Sequence, residues 1–170
     1  MNQGLGVLVL AILVAFGVIS IFILMELYFR RWVHRTKELG SQSVGRSVLL
    51  GFVNALFISA LAVGSWALAE NSGVVFLGAL GLILAVMLAL GLVFGLAGMV
   101  ALTAERLFPE RSGWKPLAAA AGFILLGSAT PYIGWFGLLP YLAFWGLGAF
   151  IQALYGAWRE RRAAPQAAAE

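Results

Sequence analysis

The sequence predicts an all-α, polytopic integral membrane protein: a bundle of about five transmembrane helices, with the N-terminus outside and the C-terminus inside. Three observations lead to this prediction. Of the 170 residues, 62% are hydrophobic and only 11% are charged, against roughly 25% in an average soluble domain. Apolar runs of about 18 residues or more recur along the chain, and only a helix satisfies its own backbone in lipid. All 11 Lys and Arg residues fall in three short clusters.

These basic clusters fix the predicted orientation. They comprise Arg30, Arg31, Arg35, Lys37 and Arg46, then Arg106, Arg111 and Lys115, then Arg159, Arg161 and Arg162. Because Lys and Arg are retained on the inner side during insertion, all three clusters are expected in the cytoplasm of a bacterial cell, beneath its inner membrane. The net charge of +4 therefore indicates contact with anionic lipid headgroups or partner subunits, and not nucleic-acid binding.

The first element is a predicted span over 5–27. It is longer than the apolar core of a signal peptide, and its basic cluster follows it, which is typical of an uncleaved span with its N-terminus outside. The segment 28–47 is polar and basic. Because its apolar residues are sparse, we expect any helix there to lie at the membrane surface and not in a core.

Two further spans form a predicted helical hairpin over 48–69 and 74–102. The turn between them, 70–73, is so short that it can join only antiparallel neighbours. The third span is longer than a bilayer requires, so it either tilts or projects beyond the lipid. An inner loop over 103–116 follows, in which Pro109, Gly113 and Pro116 interrupt regular structure.

The last apolar block, 117–156, must turn back on itself. As one helix it would extend roughly 60 Å, twice the hydrocarbon core of about 30 Å. Pro131 removes a backbone donor and Gly134 tolerates positive φ, so these residues mark the turn between spans at 114–130 and 135–158. The first of these is short, and the sequence leaves open a full crossing pair or a re-entrant hairpin. Residues 1–162 then form one helical domain, with a disordered tail over 163–170.

Three polar residues fall within or beside the predicted spans. Glu26 precedes Arg30 by four residues, a favourable helical ion pair, although an embedded carboxylate could also relay protons or bind a cation. Asn54 and Gln152 are each expected to form an interhelical hydrogen bond that sets register, with ligand contact as the alternative. His34, the one histidine, is expected to be a solvated loop residue, because a metal site needs several converging ligands.

Small residues recur at three- and four-residue steps along the third span. They form two sets, one of Gly78, Gly81, Ala85 and Ala89 and the other of Gly91, Gly95 and Gly98. Small residues at this spacing allow two helix backbones to approach closely. The pattern predicts tight helix packing but leaves open whether the packing is internal or with another chain.

The sequence carries little that predicts a reaction. It contains no Cys and no Asp, and it has no Ser/His/Asp set, HExxH motif or phosphate-binding loop. We therefore expect no enzymatic activity, no catalytic residue, no metal site and no cofactor. The aromatic residues of the last span, among them Trp145, give one alternative, a pocket that helps to hold a quinone or pigment, since a buried indole N–H needs an acceptor.

Three segments of the chain give a likeness to a known family. They are 46–52 (RSVLLGF), 131–135 (PYIGW) and 144–149 (FWGLGA). With these, the region 46–156 resembles a small polytopic membrane domain of bacterial polymer-forming cytoskeletal (bactofilin-type) membrane proteins. The resemblance implies a membrane anchor for a self-assembling β-helical module and brings no catalytic residues. This chain has no β-helical region, so the anchored part would have to be a separate chain.

The predicted function is a non-enzymatic anchor, accessory or scaffold subunit of a larger bacterial membrane assembly. Its expected partners are membrane lipids and either other membrane subunits or further copies of itself. A small transporter or channel is the alternative from another class, with Asn54, Gln152 and the turn at 130–134 along its path.

Overall fold

The computed structural model describes residues 2–111 and 113–167, and within them every secondary-structure element is a helix. The helices are α1 (Asn2–Tyr28), α2 (Arg30–Gln42), α3 (Val44–Ser72), α4 (Val75–Leu107), α5 (Trp114–Ala129) and α6 (Leu139–Ala167), with a π-helical segment (Ile133–Leu138) before α6. The all-α prediction is confirmed. The predicted tail begins inside α6, which continues to Ala167, whereas 168–170 lie outside the described residues.

Four helices of the described chain are long and apolar enough to cross a membrane, by length and composition. They cover Gly4–Tyr28, Val44–Ser72, Val75–Leu107 and Ile133–Glu160. The predicted fourth span corresponds to α5, which has 16 residues and would rise about 24 Å, short of a hydrocarbon core of about 30 Å. The choice between a crossing pair and a re-entrant hairpin therefore stays open.

The hairpin of α3 and α4 forms at the predicted turn. Gly73 adopts φ 70° and donates its N–H to the carbonyl of Ala69, which ends α3 with a left-handed residue. Close packing continues along the hairpin, because a Cβ added to Gly81 would lie 2.8 Å from the carbonyl oxygen of Ala62. The absence of that side chain lets the two helix backbones approach.

The helix α6 packs between α3 and α4 through two glycines on opposite sides. Gly146 faces α4, where an added Cβ would lie 2.5 Å from the carbonyl carbon of Gly95. Gly148 faces α3, where an added Cβ would overlap the carbonyl oxygen of Ser47. Residues two apart on a helix point in nearly opposite directions, so one short glycine motif serves both neighbours.

The short polar helix α2 is packed into the bundle, which corrects the prediction of a surface helix. Val33 and Thr36 are 1% and 0% exposed, and Gly40 is also buried. An added Cβ on Gly98 of α4 would lie 2.7 Å from Cγ2 of Thr36, so the missing side chain makes room for α2. The packed face of α2 consists of small and β-branched residues. The scarcity of apolar residues in this segment therefore gave no sign that one face of the helix is buried.

Buried side chains concentrate near the basic clusters. The largest buried cluster joins Met99, Leu102, Leu142, Trp145 and Ala149. By contrast, the apolar window of α1 has no buried residue, and the first half of α4 exposes large side chains such as Ile83 and Met87. Exposed apolar surface of this extent is typical of a lipid- or protein-covered region.

The turn between α5 and the π-helical segment differs in detail from its prediction. Tyr132, and not Gly134, takes the positive φ, at 65° with ψ −62°, and Ile133 donates its N–H to the carbonyl of Pro131. This is a γ-turn, a strained conformation for a residue with a side chain. Gly134 is needed for a different reason: an added Cβ would lie 2.5 Å from the carbonyl oxygen of Ser128.

Candidate functional site

The polar face of α2 makes three side-chain contacts with other helices, a histidine–carboxylate contact and two ion pairs. His34 Nε2 lies 2.9 Å from Glu26 Oε1 of α1, and Lys37 Nζ lies 3.1 Å from Glu105 Oε2 of α4. Arg35 pairs with Glu160 of α6. These contacts correct two predictions, since Glu26 pairs with His34 instead of Arg30, and His34 lies in a helix and not in a solvated loop.

A cleft of about 600 Å³ opens between α2 and α6. Its lining comprises Arg31, His34, Arg35, Glu38, Leu39, Gln42, Gln152, Gly156 and Glu160. A second, smaller cleft of about 280 Å³ adjoins it, and Arg31, Arg35 and Glu160 line both. The two arginines are four residues apart and therefore share one face of α2. We call the two volumes together the basic cleft.

Gly156 positions Arg35 across α6. A Cβ added to Gly156 would lie 3.2 Å from Nη2 of Arg35, so the guanidinium rests against the helix where a side chain is missing. One turn on, Glu160 accepts the hydrogen bond from the same Nη2. The side chain of Glu160 is 66% exposed and that of Arg35 only 21%, so the cation is the fixed partner of this pair.

Sequence reasoning included Arg31, Arg35 and Gln152 but missed Gly156 and Glu160 on the α6 wall of the basic cleft. Gln152, Gly156 and Glu160 recur every four residues and so form one stripe along α6. On α2, the polar lining residues recur at helical spacing in the same way. A search for polar stripes on paired helices would have found both walls.

The two other predicted intramembrane polar residues have different roles. Gln152 donates its amide to Ser47 Oγ of α3 at 2.9 Å, an interhelical hydrogen bond. Asn54 instead donates to the carbonyl of Leu50, four residues earlier in the same helix, so its predicted interhelical bond is absent. Because this amide bonds its own helix, Asn54 does not set the register between helices through a hydrogen bond.

The buried indole of Trp145 has a partner within the chain. Its Nε1 donates to the carbonyl oxygen of Gly40 at 3.0 Å, which joins α6 to α2. The indole N–H that suggested a quinone or pigment pocket therefore has its acceptor within the chain.

The predicted packing residues of α4 divide between the interior and the surface. Gly81, Gly91, Gly95 and Gly98 are buried against other helices of the same chain. Ala85 and Ala89 are exposed. A disruption of Gly91 or Gly95 would therefore damage the fold of the chain itself, and these two glycines are not a docking face for a partner.

The remaining predicted contact residues lie away from the basic cleft or at its edge. Arg30 and Arg106 are exposed. Arg111 and Lys115 line a separate cleft of about 360 Å³, and Lys115 Nζ lies 5.9 Å from the ring centroid of Trp114. Among the side chains described, no group of three or more His, Cys, Asp or Glu residues could hold a metal ion.

Comparison of the chain with known proteins leaves its family open. No protein-family model, curated protein or solved structure matches it. The bactofilin-type resemblance therefore stays a prediction.

Proposed function

We propose that this chain is a non-enzymatic anchor or accessory subunit of a bacterial inner-membrane assembly, with its N-terminus outside and its C-terminus inside. One observation carries the proposal: Arg35, Lys37 and Gln152 have partners within the chain, whereas long apolar helix surfaces remain uncovered. A protein of this kind offers surfaces for lipid and partner helices.

The first half of α4 is one of these uncovered surfaces. No polar side chain occurs from Val75 to Leu102, and Val86, Met87 and Leu90 are about half exposed. Ala85 and Ala89 lie exposed on the same stretch, and small residues allow a second helix to approach closely. These two alanines are the part of the predicted packing set that the chain's own helices leave unused, so we assign partner contact to them.

A transporter or channel draws less support from the same residues. A path across the membrane needs polar or ionisable groups at depth. Asn54 and Gln152 are engaged by Leu50 and Ser47, and Thr130 Oγ1 bonds the carbonyl of Gly127. A liposome flux assay with the purified chain measures this alternative directly.

The test of the anchor proposal is co-purification from the native host. The chain is tagged at its C-terminus, extracted in a mild detergent and examined for a protein present at stoichiometric amount. We expect a defined complex or homo-oligomer that the double substitution Ala85→Leu, Ala89→Leu weakens. The same change at the exposed Ala60 and Ala67 of α3 serves as the matched control. If the chain purifies alone and catalyses flux in liposomes, the transporter alternative would replace this proposal.

A further inference from the structure

We propose that the basic cleft is a binding site for a phosphate group, held by Arg31 and Arg35. Both arginines line the same two volumes, and each guanidinium offers a planar fork of donors that matches phosphate oxygens. A volume of about 600 Å³ accommodates a phosphate with its substituents. Basic pockets between helices at the cytoplasmic side are a common form of lipid headgroup site.

An internal carboxylate already occupies part of this site. Glu160 accepts a hydrogen bond from Arg35 Nη2, so the guanidinium is oriented to receive an anion. Because the Glu160 side chain is 66% exposed, the ion pair is of the weak surface kind and exchanges readily. A phosphate would take the place of this carboxylate, and Glu160 would turn to solvent.

The charges that face the cleft favour an anion once Glu160 leaves. Among the described side chains, the charged or titratable lining groups are Arg31, His34, Arg35, Glu38 and Glu160. His34 is engaged by Glu26 through Nε2. With Glu160 displaced, two fixed positive charges face one negative charge, that of Glu38.

Aromatic rings beside the cleft favour a lipid as the source of the phosphate. Trp32 lines the smaller volume, and its ring lies 6.5 Å from that of Phe150. Phe150 stacks on Phe94 at 5.2 Å, and Phe94 meets Phe29 edge to face at the same distance. Aromatic residues are typical of the headgroup level, where an acyl chain can continue along them. The lipid source depends on the membrane location in the proposed function, whereas phosphate binding itself does not.

The test measures phosphate binding to the full chain in detergent, with two probes. Native mass spectrometry follows dioleoylphosphatidylglycerol, with dioleoylphosphatidylcholine as the neutral lipid. Isothermal titration calorimetry follows inorganic phosphate. We expect the anionic lipid to bind about tenfold more tightly than the neutral one, a difference of about 1.4 kcal/mol. Tighter binding of inorganic phosphate than of the anionic lipid would support the site and assign it to a soluble ligand.

Substitutions separate a specific site from general attraction. The double variant Arg31→Gln, Arg35→Gln should weaken anion binding at least tenfold. The single variant Arg35→Lys, which keeps the positive charge, should bind the anion more tightly than the double variant does. Glu160→Gln should tighten binding several-fold, because it removes the competing carboxylate. The matched control is Arg111→Gln, Lys115→Gln in the separate cleft of about 360 Å³, which should leave anion binding in the basic cleft unchanged. Circular dichroism melts verify that each variant folds.

Three results would overturn the proposal: no binding of either anionic probe, equal losses in the two double variants, or weaker binding in Glu160→Gln. The outcome is independent of the anchor proposal. If a stoichiometric partner remains bound to the Arg31→Gln, Arg35→Gln variant, the anchor proposal stands. Phosphate binding is then not required for assembly with that partner.

Discussion

Trp145 and Gly40 form a buried hydrogen bond between two helices that the sequence assigns to different environments. The indole N–H of Trp145 in α6 donates to the carbonyl oxygen of Gly40 in α2 at 3.0 Å. Gly40 is closely packed, because an added Cβ would lie 2.8 Å from Cε of Met99 and 3.3 Å from Cβ of Ala149. The polar helix α2 is thereby fixed against the buried apolar cluster that contains Trp145 and Met99.

The substitution Trp145→Phe should destabilise the protein by roughly 1–3 kcal/mol, because it leaves the buried carbonyl of Gly40 without its donor. Unfolding of the full chain in detergent, titrated with a denaturant, measures the difference. Trp66→Phe is the matched control, since the indole of Trp66 is exposed and bonds Glu70 in its own helix. Equal effects of the two substitutions would contradict a structural role for the bond to Gly40.

The substitution Gly95→Ala should destabilise the bundle by roughly 1–3 kcal/mol or more, because overpacking forces two helix backbones apart. The added methyl would lie 2.6 Å from the backbone nitrogen of Leu147, where no side chain can move away. Gly146→Ala should act alike from the other side of the crossing. Thermal unfolding in detergent measures both.

Gly122 of α5 is the control for the two glycine substitutions, because a Cβ there would meet nothing within 4 Å. Gly122→Ala should leave the melting temperature unchanged or raise it, since Ala favours the helix. A similar loss of stability at all three positions would show that helix crossing is not the cause.

Hydropathy predicted the long helices because lipid requires long apolar segments with satisfied backbones, and four such helices are present. The same criterion placed α2 at the surface. Its buried face rests on Thr36 and Gly40, which carry little hydrophobic signal, and its fit depends on the missing side chain of Gly98. Shape complementarity between two distant segments cannot be read from the composition of either one.

The candidate site was predicted in part for a similar reason. Basic clusters indicated Arg31 and Arg35, but not that Glu160 lies opposite them, 125 residues away from Arg35. Glu26 and Arg30 have the spacing of a helical ion pair, yet the helix breaks at Phe29, and the bend brings His34 to Glu26 instead. Local spacing predicts a contact only where the helix continues.

The substitution Gly134→Ala should destabilise the turn before α6 by roughly 1–3 kcal/mol, as overpacking does. The new Cβ would lie 2.6 Å from the carbonyl oxygen of Gly127 and 2.5 Å from that of Ser128. Gly137→Ala is the matched control in the same π-helical segment, because a Cβ there meets nothing within 4 Å. Thermal unfolding distinguishes them, and identical melting temperatures would contradict the close approach.

The predicted orientation can be tested by thiol labelling, since the chain has no Cys of its own. Single substitutions Ser72→Cys and Glu110→Cys place one thiol at each end of α4, and both positions are exposed. If the basic clusters are cytoplasmic, a membrane-impermeant maleimide should label Ser72→Cys in intact cells. Glu110→Cys should react only after permeabilisation. The reverse pattern would place the basic clusters outside and remove the inner-leaflet lipids as ligands of Arg31 and Arg35.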